Sequence, residues 1–294
     1  MTTAEIGVIG GSGFYQLDEL RDAERIEVET PFGAPSGPIV TGSIEGRRVA
    51  FIARHGEGHR LLPSEVPARA NIHALKQLGA ELVISLSAVG SLREEIEPLH
   101  AVTPDQIIDR TNGVRPHTFF GDGMVVHIGF ADPFCTDLAA ALADAAEASG
   151  VTTHRGGALV VTEGPSFSTR AEARINRDGG GTIIGMTAIP EARLAREAEL
   201  CYAALCFVTD YDVWRDTQED VSADMVLENL SRNAARGRQA LVRTVAGLGD
   251  LGDCDCGDAL ASALVTPPDL VPAETRQRLA LLLRRYHGEP PDEP

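Results

Sequence analysis

The sequence predicts an α/β fold with a central mixed β-sheet flanked by helices, on three observations. Short apolar runs recur along the chain, helical segments separate the later ones, and the connections are short. No internal repeat or shift of composition divides the 294 residues, so one domain covering 1–294 is expected, with a helical tail from about residue 250.

Apolar runs, continuous or alternating, predict strands at Ile6–Ile9, Arg25–Val28, Ile39–Ile44, Arg48–Ala53, Leu82–Leu86, Gln106–Ile108, Ala158–Val161, Thr182–Ile184 and Tyr202–Val208. Ser64–Leu78 reads as a helix with Ser64 as N-cap and a proline in its first turn. Helices are also expected at Phe134–Ala148, Arg170–Arg177, Pro190–Glu199 and from about Ser222 to Val245. The Gly/Asp-rich stretch GLGDLGDCDCGD reads as a loop, TPPDLVPAETRQRLALLLRRYH as a last amphipathic helix, and GEPPDEP as a frayed end.

A net charge of −17 argues against nucleic acid or an anionic membrane as partner, though local amides and one arginine can still bind phosphate. No basic leader precedes an apolar core at the amino terminus and no uncharged run reaches membrane-spanning length, so a cytoplasmic protein is expected. Lys76 is the only lysine, which makes Schiff-base chemistry a poor fit. The five cysteines, Cys135, Cys201, Cys206, Cys254 and Cys256, form no CxxC pair, so no metal site is expected, and a disulfide across Cys254-Asp255-Cys256 would be strained.

Several strand ends carry candidate chemistry. GGSGF, Gly10 to Phe14, lets the backbone approach a phosphate, with Ser12 as a further donor; a tight structural turn uses the same glycines. In ARHGEGH, Arg54 suits a bidentate phosphate clamp and His55 can donate beside it, although a polar surface loop has the same composition. Ser87 and the Ala88 amide can complete an anion site where a strand opens into a turn. In TEGPSFSTRAE, Phe167 can stack on a flat ring with Ser168 as a polar neighbour; Met186-Thr187 ends the next strand, where Met186 is either core filler or an apolar face for a ligand. CFVTDYDVWRD places Asp210 and Asp212 at i and i+2, on one face if the chain stays extended; a solvated strand end followed by an N-cap is the plainer alternative.

Taken together, GGSG, ARHG, SAVGSLREE, DQIIDRT, ADPFC, EGPxFSTRAE, GMT and TDYDVW resemble the 5′-methylthioadenosine phosphorylase branch of the trimeric purine nucleoside phosphorylases, from about Gly7 to Leu230. The resemblance implies the purine nucleoside phosphorylase-like fold, a homotrimer, no cofactor, and inorganic phosphate as co-substrate of a small nucleoside. It implies phosphate between Ser12, Arg54, His55, Ser87 and Ala88, purine near Phe167, Ser168 and Met186, ribose hydroxyls at the Met186 region, and Thr187 among the substrate-binding residues. His127, Val221 and Ala223 would approach the 5′ substituent. Asp210 would protonate N7 of the departing base, and Asp212 would accept from a 6-amino group. The chain has Ser166 where the family usually has arginine, and its tail is only loosely similar. A 6-oxopurine nucleoside phosphorylase, a nucleoside hydrolase, a dinucleotide-dependent oxidoreductase and a non-catalytic nucleoside sensor are the rival readings; the third needs a glycine where Gln16 stands.

Overall fold

In the computed structural model, which describes residues 4–14, 17–215, 223–249 and 254–287, the strands join one eleven-stranded mixed sheet. In chain order the elements are β1 (Ile6–Gly10), β2 (Arg21–Ile26), β3 (Ile39–Ile44), β4 (Arg47–Ala53), α1 (Ala68–Gln77), β5 (Leu82–Ser91), β6 (Ala101–Thr103), β7 (Gln106–Arg110) and α2 (Thr136–Ala148). There follow β8 (Thr153–Arg155), β9 (Ala158–Thr162), α3 (Arg170–Asp178), β10 (Gly181–Gly185), α4 (Ala188–Glu197), β11 (Cys201–Asp210), α5 (Ala223–Gly247), α6 (Ala273–Arg278) and α7 (Ala280–His287).

The main path runs β2-β3-β4-β1-β5-β10-β9-β7, and β11, β6 and β8 branch from β5. The ten residues of β5 explain the fork. Along one edge its first half pairs in parallel with β1, up to Gly10 opposite Leu86, while Gly90 and Ser91 pair with β10. Along the other edge it pairs with β11 almost throughout. Three residues, Ser87, Ala88 and Val89, are therefore paired to β11 but to neither β1 nor β10. The sheet opens there.

Alternation along the strands sends side chains to two cores. Ile6 and Val8 pack with Leu138 and Leu142 of α2 and Leu241 and Val245 of α5, whereas Ile9 joins Ile72 and Leu75 of α1 and Leu194 of α4.

Three expectations need correction. Ser64 does not cap α1: the helix starts at Ala68 after Pro67, because the residue before a proline is steered away from helical angles, and Leu62–Val66 form a turn instead. The short strands β6 and β8 were not expected; three residues each give too little periodicity to read. The last helix is two, α6 and α7. Among the described residues, no helix is long and apolar enough to cross a membrane.

Candidate active site

The parallel strands β4, β1, β5 and β11 bring their carboxyl ends to one edge, with Gly10 level with both Ala53 and Leu86. Gly11 then crosses onto β5, its amide donating to Leu86 O at 2.9 Å. A Cβ on Gly11 would lie 2.5 Å from Arg54 Nη1 and 2.6 Å from Leu86 O, so only glycine permits this approach. The GGSG, ARHG and SAVG segments thus meet at the opening in the ladder of β5.

Arg54 is buried, and most of its donors are already used. Nε and Nη2 make a bidentate pair with Glu191 at 2.8 and 3.0 Å, Nη2 also donates to Ser85 Oγ at 2.7 Å, and Nη1 donates to Leu86 O at 3.1 Å. One Nη1 proton remains, so the expected bidentate clamp on phosphate is corrected to a single donor. Glu191 is itself closed by Tyr202, whose hydroxyl donates to it at 2.7 Å. Sequence reading missed Glu191, because a glutamate in the first turn of a helix has an ordinary surface explanation.

His55 is corrected too. Its Nδ1 lies 2.8 Å from Leu61 O, and since a carbonyl only accepts, Nδ1 carries the proton. Burial, with help from the Arg54 charge, lowers its pKa to about 4. The ring is neutral at pH 7 and Nε2 is an acceptor, not the donor expected.

The two carboxylates end β11. Asp210 Oδ1 accepts from the Asp212 amide and Oδ2 from the Thr209 hydroxyl, each at 2.7 Å. Asp212 takes a left-handed backbone with φ 51°, so the strand does not run on through it. The pair is gathered by a side-chain-to-backbone turn rather than by the extended i, i+2 geometry expected. Burial raises the Asp210 carboxyl above its ordinary range. Burial also pushes Asp212 up to about 6 against a hydroxyl bond from Ser168. Asp212 Oδ2 is buried without a partner. Below this turn, Asn229 of α5 donates to Thr209 O at 2.7 Å and Trp214 Nε1 to Ser91 O at 2.8 Å.

Ser168 therefore joins the Asp212 corner, while Phe167, 45% exposed, stands open. Met186 is half-buried against Gly164, where a Cβ would meet its sulfur at 2.6 Å. Thr187 opens α4 without a side-chain cap bond. An unexpected residue ties these loops together. The buried guanidinium of Arg115 pairs with Glu163 at 2.6 Å and donates to Glu163 O and Met186 O at 2.6 Å and to Ile189 O at 2.9 Å. Its only sequence signal is an arginine before proline in a loop.

His127 is exposed, and its amide donates to Ala263 O of the tail at 2.9 Å. Val221 lies outside the described residues, and Ala223 begins α5.

On this mixed sheet, an interrupted ladder on β5 thus lies beside paired buried carboxylates. The family model of the phosphorylase superfamily matches residues 5–246, and the chain belongs to that family. It is similar to the S-methyl-5′-thioadenosine phosphorylase of Geobacter sulfurreducens, at 52% identity over 96% of this chain and 98% of the relative. It is likewise 54% identical to that of Chloroflexus aurantiacus, over 97% of this chain and 99% of the relative. Among solved structures, a methylthioadenosine phosphorylase from an antarctic soil metagenomic library superposes with TM-score 0.91 at 47% identity, covering 96% of this chain and all of the other. The Schistosoma mansoni methylthioadenosine phosphorylase in complex with adenine superposes with TM-score 0.84 at 34% identity, covering 91% and 100%.

Proposed function

We propose that the protein is a pentosyltransferase that splits 5′-methylthioadenosine with inorganic phosphate, releasing adenine and the 5-methylthio-ribose 1-phosphate. The observation that carries the choice of base is Asp212 Oδ2, a buried acceptor that lacks a donor. A 6-amino purine supplies one; a 6-oxo purine would set oxygen against oxygen.

Phosphate occupies the opening at Ser87–Val89, held by the Ser12 and Ser87 hydroxyls, the Ala88 amide, the remaining Arg54 proton and the Thr187 hydroxyl. His55 Nε2 accepts a hydrogen bond from the O–H of hydrogen phosphate. From Ser87 to Gly90, which packs on Asp210, is three residues, about 10 Å of strand, room for a pentose. Phe167 and Met186 cover the base and sugar, and Ser168 fixes Asp212. A phosphate oxygen attacks C1′ with inversion as the bond from C1′ to the purine breaks. The purine leaves with the bonding electrons, and Asp210, whose pKa burial raises above its ordinary range, gives a proton to N7. No cofactor takes part.

His127, exposed within its own chain, reaches the 5′ group of a neighbouring copy, and Val221 and Ala223 line that group. This requires a closed ring of heterologous interfaces, and a homotrimer is the reading. A cytoplasmic salvage role for the thio-nucleoside follows the substrate.

The test is product analysis with 5′-methylthioadenosine in the presence and absence of phosphate. Adenine should form only with phosphate; equal release in phosphate-free buffer would make the enzyme a hydrolase. Light scattering that shows an active monomer would remove the trimer and the role of His127 in trans.

A further inference from the structure

At the opposite end of the sheet, four of the five cysteines converge. Cys135 precedes α2, Cys201 begins β11, and Cys254 and Cys256 enter a 3-10 turn over Asp255–Asp258 in the tail. Their four Sγ atoms all lie within 4.8 Å of one another, with Cys201 and Cys254 at 3.2 Å, and all are free thiols. No CxxC spacing announces the group because three separate segments supply it. The one-residue spacing of Cys254 and Cys256, unsuited to a mutual disulfide, lets the turn aim both thiols at the same point.

We propose that Cys135, Cys201, Cys254 and Cys256 form a tetrahedral four-thiolate site for a thiophilic divalent cation, zinc above all, that fastens the tail to the amino end of β11. Zinc–sulfur bonds of about 2.3 Å place ligand sulfurs about 3.8 Å apart, a size the cluster reaches by small side-chain shifts. Among the described residues no carboxylate or imidazole belongs to the cluster, and an all-sulfur set selects zinc over magnesium, calcium or manganese. Metal binding releases thiol protons as the sulfurs ligate.

The surroundings suit a site of net charge −2. Arg196 Nη1 approaches Cys256 Sγ at 3.7 Å, its Nη2 is fixed by Asp132 O at 2.5 Å, and Lys76 lies near Cys201. Cys135 and Cys256 are buried, while Cys201 and Cys254 border a cavity of about 1050 Å³ that also meets Lys76 and Glu199 and gives a path for the metal. The cluster lies at the strand end away from Asp210 and Asp212, so the cation is a structural fastener, not part of the chemistry.

The test is the metal content of the full-length protein, prepared with reductant under nitrogen in zinc-supplemented medium and measured by plasma mass spectrometry and native mass spectrometry. About one zinc per chain is expected, and replacement by cobalt(II) should give the visible bands of tetrahedral thiolate coordination. Cys254→Ser with Cys256→Ser should lower zinc content about tenfold or more, while Cys206→Ala, outside the cluster, retains it. Wild-type protein that stays metal-free with four titratable thiols after incubation with zinc overturns the proposal. So does protein in which these cysteines are found as disulfides despite the reductant. If the double variant does not fold, the wild-type stoichiometry and the cobalt spectrum decide alone.

Discussion

Two buried acidic corners, one on α4 and one at the end of β11, are finished in opposite ways. Glu191 receives two donors from Arg54 and one from Tyr202, so its charge is closed inside the protein. Asp212 receives the Ser168 hydroxyl but keeps Oδ2 without a partner, and burial pushes its pKa to about 6. Both are acids in an apolar interior. The first corner is scaffold, since a buried pair that loses one member leaves the other uncompensated. The second bears a standing desolvation cost that only a ligand donor removes. At these two corners the difference is one unpartnered oxygen.

The largest effect tests the open corner. Asp210→Asn keeps the shape of the turn but removes the acid, and kcat for 6-amino nucleosides should fall by about 10²–10⁴ with little change in substrate binding. Full kcat in that variant would return the pair to the status of a polar strand end. The closed corner should fail differently. Glu191→Ala strands the Arg54 charge, and urea unfolding should show about 3–5 kcal/mol lost. A stability within experimental error of the parent would mean that Arg54 finds water or another acceptor.

Between the two stands Arg115, which binds the Glu163 and Met186 loops from behind. Arg115→Ala should raise KM for the nucleoside far more than KM for phosphate, on the order of 1–3 kcal/mol for the unpaired carbonyls it leaves. Equal effects on both would assign it to general stability.

The smallest effect is the most specific. Asp212→Asn should move the preference between 5′-methylthioadenosine and its 6-oxo analogue by roughly tenfold toward the latter, since an amide can offer O6 a donor. It should also flatten a pH dependence. With a folded pKa near 6 against an ordinary 3.8, ionisation of Asp212 opposes folding, so its contribution to stability is greatest at low pH and is lost as pH rises through about 6. Binding runs the other way: the carboxylate accepts from N6, so kcat/KM for 6-amino substrates should drop as pH falls below about 6. A profile identical in the Asn variant would take Asp212 out of base recognition.

Strand ends were legible because a parallel strand announces itself as an apolar run, and glycine or a charged residue just beyond it marks the functional edge. That logic located Gly10–Ser12, Arg54 and Asp210 as strand-end residues, but Ser87 and Ala88, expected at a turn after Leu86, lie inside β5, which runs on to Ser91 because β11 pairs with it as far as Gly90. It failed where long-range pairing decides. Arg54 looks like a free clamp until Glu191, 137 positions away, is folded against it. Arg115 acquires its partners only when the ends of β9 and β10 come together. His55 reads as a donor until Leu61 O takes its one proton. The ladder opening at Ser87–Val89 is invisible in sequence, because it is the difference between where β1 stops and where β10 starts.

The left-handed backbone at Asp212 narrows what this position can become. At φ 51° a side chain with a branched or bulky Cβ is strained, and the residues that tolerate the angle best are glycine, asparagine and aspartate. Of these, only two can speak to a purine edge, one as pure acceptor and one as donor or acceptor. Backbone geometry thus favours a two-letter alphabet for base recognition at this corner, in which a change of nucleobase is the exchange of one oxygen for one nitrogen.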